Sequence, residues 1–217
     1  MDDLEFFHKH ILYPVVRVRA GKAGGSGTVL FSKPDKSGRT HTFILTNHHV
    51  IADRITFPEE WNPYLKRKEK HEVTATVLVD MMKYQRLSYL VGQTATDADI
   101  VAWNEQQDLA LLQTRDFEEL YPYPAKLIVK ETAKDLKLFQ RVFVSGCPLL
   151  HSTYITEGRI TSVNDEIENQ QFGMSNASIT FGNSGGAVFL QETGEWIGVP
   201  SKIAIQGWTD IANHMGW

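Results

Sequence analysis

Thr180-Phe181-Gly182-Asn183-Ser184-Gly185-Gly186 is the stretch that decides the fold, because it completes a pattern begun twice upstream. The other two parts are Leu45-Thr46-Asn47-His48-His49-Val50-Ile51 and Gln107-Asp108-Leu109-Ala110-Leu111-Leu112. Each is an apolar run broken by one residue type that nucleophilic catalysis needs: a His, an Asp, a Ser. Their order along the chain, His then Asp then Ser, is one of three in which the same constellation is built on unrelated folds.

Outward from these segments, short runs rich in Val, Ile, Thr and aromatics recur between turn residues. Val15 to Arg19, Gly27 to Phe31, Thr42 to Thr46 and Glu72 to Val79 are four of them. Arg141 to Ser145, Tyr154 to Val163, Gly186 to Leu190 and Trp196 to Val199 are four more. Strands this numerous and close predict an all-β barrel or sandwich. Helical candidates are few: a short piece over Asp2 to Lys9 and a second over Pro58 to Lys70. Gly21-Lys22-Ala23-Gly24-Gly25-Ser26-Gly27 has the glycines of a phosphate loop, but no Gly-Lys-Ser/Thr and no helix pattern follow it. It is expected to be a flexible turn before a strand.

With 217 residues, 42% hydrophobic and 22% charged, the chain is long enough for one two-lobed domain. A formal charge of −4 gives no footing for nucleic acid, and no uninterrupted apolar run approaches a membrane span. The acidic start Met1 to His8 lacks the apolar core of a signal peptide. Cys147 is the single cysteine, so no intramolecular disulfide forms, which favours a cytoplasmic location. Its apolar neighbours Val142 to Val144 make it a buried small hydrophobe rather than a nucleophile. The remaining histidines lack metal-ligand spacing, and neither metal nor cofactor is implied.

A serine hydroxyl is a weak nucleophile at neutral pH and needs a base beside it. Imidazole titrates near neutrality, and a carboxylate on its other nitrogen fixes the tautomer. Ser184, His49 and Asp108 are assigned those roles. An oxyanion site needs converging backbone N–H groups, in a loop conformation that glycine tolerates; Gly182 and Ser184 are the expected donors. Gly185 and Gly186 then let the chain leave without crowding the acyl site.

On Thr46-Asn47-His48-His49-Val50, Asp108-Leu109-Ala110-Leu111 and Gly182-Asn183-Ser184-Gly185-Gly186, the chain resembles chymotrypsin-fold serine proteases. It is most similar to the high-temperature-requirement branch. The similarity extends through Ser145-Gly146-Cys147-Pro148, Thr156-Glu157-Gly158-Arg159-Ile160 and Gly194-Glu195-Trp196-Ile197-Gly198, so it spans roughly Gly25 to Val199. It implies one peptidase domain, residues 1–217, made of two packed six-stranded antiparallel β-barrels over roughly 10–115 and 125–217, with few short helices. It also implies a serine endopeptidase working through an acyl-enzyme. Two histidines compete for the base; His49 immediately precedes Val50, as in the family motif, and His48 falls where relatives often have Asn.

Asn183 stands where trypsin-like zymogens have the Asp that pairs with a new N-terminus, so activation of that kind is not expected. His49 to Asp108 spans 59 positions, longer than the resemblance implies, with the excess placed within Pro58 to Gly92, as a plain or a regulatory insertion. By the same resemblance Ser178 and Ile179 form the base of the primary specificity pocket, Lys202 and Ile203 its wall, and Ser201 also binds substrate. The default is a small or medium apolar P1 residue; Lys202 pointing inward would favour an acidic one. A peptide is expected to pair along Trp196 to Ser201 as an added strand. The expected partner is a protein or peptide substrate, not nucleic acid or membrane. The alternatives are a protease-fold binding module, or a latent effector domain of a larger protein that an activating partner switches on. No PDZ domain is expected.

Overall fold

The computed structural model describes the backbone of residues 3–115, 119–206 and 209–216, and their side chains except those of 131–132 and 203–216. Six strands close the first barrel: β1 (Val15–Ala20), β2 (Ala23–Pro34), β3 (Thr40–Thr46), β4 (Val77–Gln85), β5 (Tyr89–Asn104) and β6 (Leu109–Thr114). Their order around the barrel is β1-β2-β3-β6-β5-β4, with β4 returning to pair with β1. The period-two alternation does this, because alternate side chains fall on one face of a strand. Val16, Val18, Val29, Ile44, Val79 and Leu112 point inward and are fully buried.

The second lobe contains β7 (Arg141–Gly146), β8 (Tyr154–Ile167), β9 (Gln170–Ser175), β10 (Ala187–Leu190), β11 (Glu195–Gly198), β12 (Lys202–Gln206) and β13 (Thr209–Gly216). With the short strand Lys126–Leu127 they form one curled sheet, ordered from that strand through β11-β10-β7-β8-β9-β13 to β12. The architecture is therefore the expected pair of antiparallel barrel-like sheets, the first closed and the second a half-barrel ending at β12. Val142, Val144, Ile160 and Val188 form its core.

A third apolar cluster joins the two lobes: Ile11, Val15, Ala125, Ala187 and Phe189, with Phe7, Phe143 and Trp196 packed on it. Phe7 lies in the helical piece expected over Asp2 to Lys9 and Ile11 just past it; the observed helix is α1 (Asp3–Phe7) running into a π-helical turn over His8–Leu12. No described helix is long and apolar enough to cross a membrane.

The second helical candidate is corrected. Residues 58–70 form a hairpin, Glu59–Asn62 against Arg67–Lys70, pairing Trp61 with Lys68. Asn62 Oδ1 accepts the N–H groups of Tyr64 and Leu65 at 3.0 and 3.1 Å, so a side chain caps the turn and takes the place of helical bonds. Nor is the excess between His49 and Asp108 all loop. Most of residues 77–104 is β4 and β5 themselves, lengthened and joined by a tight turn at Arg86 to Ser88.

Candidate active site

His49 lies in α2 (His48–Ile51), a single helical turn that leaves β3. Val50 and Ile51 are buried in the first barrel and anchor that turn, which leaves His49 exposed at the seam between the lobes. Asp108 ends the turn Glu105 to Asp108 that joins β5 to β6. Its N–H donates to Glu105 O, and its φ of +52° is a left-handed conformation that Asp adopts more readily than most residues. That twist turns its carboxylate back toward α2. His49 Nδ1 meets Asp108 Oδ2 at 2.8 Å, and the His49 backbone N–H donates to Oδ1 at 2.9 Å. Asn47 Nδ2 donates to the Asp108 carbonyl at 2.8 Å and holds the turn from the other side.

Burial by itself would raise the Asp108 carboxyl. Hydrogen bonds from His49 and Ser201 outweigh it, and the group sits below the usual Asp range. An ionised carboxylate only accepts, so Nδ1 of His49 carries the proton and Nε2 is left as the acceptor. His48 points elsewhere: its ring stacks on Trp103 with centroids 5.1 Å apart. Of the two histidines, only His49 touches the carboxylate.

Ser184 stands in the loop between β9 and β10, whose bends rest on Gly182 at φ +97°. A Cβ there would lie 2.6 Å from Leu149 N and 2.7 Å from Cys147 O, so only glycine fits. The loop's carbonyls are all turned into the protein. Phe181 O accepts from Leu149 N–H, Asn183 O from Gly186 N–H and Ser184 O from Ser26 N–H. In a trans peptide the N–H points opposite to the carbonyl. The N–H groups of Gly182 and Ser184 are thus directed away from those anchors, and neither has an acceptor among the described residues. No hydrogen bond joins Ser184 Oγ to His49 Nε2 among them, a looseness common where no substrate is bound.

The pocket residues divide. Ser201 donates to Asp108 Oδ2 at 2.6 Å, a contact the sequence did not announce. Lys202 Nζ bonds Glu168 Oε2 at 2.9 Å, at the tip of the β8–β9 hairpin. Ser178 is exposed and its carbonyl accepts from Thr156, while Ile179 packs on the core of the second lobe. Ile203 belongs to β12, and its side chain lies outside the described residues. A cleft of about 450 Å³ is lined by His49, Asp108, Glu105, Glu168, Ser201 and Lys202. Gln170 Nε2 donates to Gln106 O across it. Cys147 is fully buried and its thiol is pushed up to about 11 by that burial, the opposite of an activated nucleophile. Among the described residues no group of acidic, Cys or His side chains has the spacing to hold a metal ion.

The expected peptide edge, Trp196 to Ser201, is covered at its start. Strand β11 is flanked by β10 on one side, and Lys126–Leu127 pairs with its Glu195 and Trp196 on the other. Of the two ends of this sheet, one is the two-residue strand Lys126–Leu127 and the other is β12, which pairs only with β13.

A family model described as a trypsin-like peptidase domain matches residues 25–199. No curated protein matches the chain. The fold is shared with a crystal structure of Deg5, at a TM-score of 0.65 and 23% identity, over 92% of this chain and 84% of that one. It is shared also with a serine endoprotease from Yersinia pestis, at a TM-score of 0.63 and 23% identity, over 94% of this chain. The matched part is 58% of the Yersinia chain.

Proposed function

The chain belongs to the trypsin-like peptidase family and is a serine endopeptidase; from that premise we propose that it cleaves peptide bonds through an acyl-enzyme formed on Ser184. As Ser184 Oγ bonds to the scissile carbonyl carbon, its proton passes to His49 Nε2. The carbonyl oxygen becomes an oxyanion and takes hydrogen bonds from the N–H groups of Gly182 and Ser184. Asp108 accepts from Nδ1–H throughout and stabilises the imidazolium. His49 then gives its proton to the leaving amine as the C–N bond breaks. Water enters by the same steps in reverse roles and frees Ser184.

The observation that carries this is the His49–Asp108 pair at 2.8 Å, together with the N–H groups of Gly182 and Ser184, which have no acceptor among the described residues. Labelling with a fluorophosphonate tests it: the native chain should react and Ser184→Ala should not. Equal labelling of both, or of neither under any condition, overturns it. An extended peptide would add to the edge of β12 and place its P1 side chain near Ser178 and Ile179. With no acidic side chain at that position and Lys202 drawn to Glu168, the P1 residue is small or medium and apolar.

A second reading rests on a separate observation. Gln170 Nε2 to Gln106 O bridges the cleft between the lobes, and Lys202–Glu168 lies on its second-lobe rim. A domain closed this way would be a latent protease, opened by an activating partner or a larger parent protein. Labelling that appears only when an activator is added would favour it. The absence of any disulfide keeps the chain suited to the cytoplasm, which fractionation would test.

A further inference from the structure

Gly24-Gly25-Ser26-Gly27 is neither a flexible turn nor a phosphate cradle. It lies inside β2, paired residue for residue with β1, from Gly24 opposite Arg19 to Gly27 opposite Val16. Ser26 there is fully buried and makes four hydrogen bonds, three of them to the second lobe. Its Oγ donates to Gly182 O at 2.7 Å and accepts the N–H of Cys147 at 2.7 Å. Its own N–H donates to Ser184 O at 2.8 Å, and its carbonyl accepts from Thr46 Oγ1 at 2.7 Å.

We propose that Ser26 is a positioning residue for the oxyanion site, holding the Gly182–Asn183 peptide between the two donor N–H groups. This rests on the acyl-enzyme chemistry assigned above. Of the successive carbonyls from Phe181 to Ser184, two are held by backbone N–H groups within the second lobe. The other two, Gly182 O and Ser184 O, are held from the first lobe, and both by Ser26. Gly182 has no Cβ to resist rotation, so its peptide plane is set by its hydrogen bonds: Asn183 N–H donates to Thr180 O at 3.1 Å within the loop, and the carbonyl takes one partner from the opposite lobe. The Ser26 hydroxyl is that partner. Its acceptance from Cys147 N–H fixes the rotor, because a hydroxyl that accepts along one direction donates along another.

Gly25 allows the approach. A Cβ on it would fall 2.8 Å from Ser184 O and 2.8 Å from Val50 Cγ2. The strand thus carries two devices: a glycine that lets the nucleophile loop seat directly on the barrel, and a serine that orients it. His49 hangs from the same barrel through Val50, so base and donors are referenced to one rigid sheet.

The test is steady-state cleavage of a peptide by wild type, Ser26→Ala and Ser26→Thr, with inhibition by a peptide boronic acid measured in parallel. Bound to a serine, the boronate places an oxygen where the oxyanion forms. Ser26→Ala should lose roughly 100-fold in kcat with little change in KM, the loss expected when an oxyanion donor is misplaced. Boronate affinity should fall by a similar factor, and Ser26→Thr, which keeps the hydroxyl, should recover most of both. Should Ser26→Ala not fold, Ser26→Cys keeps the volume with a weaker donor and should show the same split. Unchanged kcat and boronate affinity in a folded Ala or Cys variant overturns the role of Ser26. A wild type that neither cleaves nor binds boronate overturns the acyl-enzyme assignment itself, so the two failures are distinct.

Discussion

Ser201 Oγ donates to Asp108 Oδ2 at 2.6 Å, on the same oxygen that faces His49 Nδ1 at 2.8 Å. The two residues stand 93 positions apart and come from different lobes. One carboxylate therefore ties the edge of the second sheet to the base carried by the first. A hydrogen bond to a charged group contributes about 1.5–3 kcal/mol. Ser201→Ala should lower kcat about tenfold, since each 1.36 kcal/mol is a factor of ten in rate. With one donor gone the Asp108 carboxyl rises, so the acidic limb of the pH–rate profile should move to higher pH. A profile identical to wild type would refute this.

Asp108→Asn keeps the shape of the turn but replaces an acceptor with a group that can also donate. His49 can then adopt the other tautomer and present a proton, rather than a lone pair, to Ser184. The expected loss in kcat is about 10⁴-fold, read against a peptide substrate. Retained activity would remove Asp108 from the mechanism.

The adjacent histidines separate cleanly by substitution. His49→Ala should lower kcat by about 10⁶-fold, to the residual catalysis that the oxyanion site and binding supply. His48→Ala removes a ring stacked on Trp103 and should leave kcat within about tenfold of wild type, because that ring touches no reacting group. The reverse ranking would reassign the base.

Asp80 is fully buried between two arginines on the same barrel wall, with Arg17 Nε at 2.8 Å and Arg19 Nε at 2.7 Å. Burial pushes its carboxyl up; the arginine hydrogen bonds outweigh this and hold it below the usual range. A carboxyl lowered on folding stabilises fully above its unfolded value, near 3.8, and that stability is lost as pH falls through the folded value. Asp80→Asn should cost about 3 kcal/mol at neutral pH, the low end for a buried pair because Arg19 is 38% exposed. It should also flatten the acid limb of the stability curve. Denaturant unfolding across pH measures both, and a neutral substitution here would contradict the ion-pair account.

The Lys202–Glu168 pair is solvent-exposed, so breaking it should change stability very little. Its effect falls on selectivity. Glu168→Gln frees an ammonium at the cleft and should raise preference for acidic residues by a few-fold in a peptide-library profile. An unchanged profile would show that Lys202 does not meet substrate.

Much of this molecule is legible in the chain because its signals are local. Alternation in Val15 to Ala20 and Leu109 to Thr114 specifies strands with one buried face. The His, Asp and Ser segments each announce a residue type in a recognisable setting. Where local pattern misled, a specific contact decided. Residues 58–70 read as a helical candidate, yet the Asn62 side chain closes a turn and sets a hairpin. Trp196 reads as a free edge, yet Lys126 and Leu127 arrive from 70 positions upstream to cover it.

By itself the sequence determined the all-β class and the family and pointed to His49, Asp108 and Ser184 as candidates, with glycines around Ser184 foretelling a bent loop. Only the tertiary structure decided that Ser201 shares the Asp108 carboxylate, that His48 turns aside to Trp103, and that Ser26 holds the Gly182 loop from the opposite lobe. The division has a physical cause. Strand periodicity and glycine conformation act over a few residues, so they are written locally. Hydrogen bonds across the seam between lobes link positions such as Ser26 and Gly182, 156 residues apart, whose meeting depends on how both sheets close. The Gly182 to Gly186 loop names the chemistry, and the barrel it rests on sets its geometry.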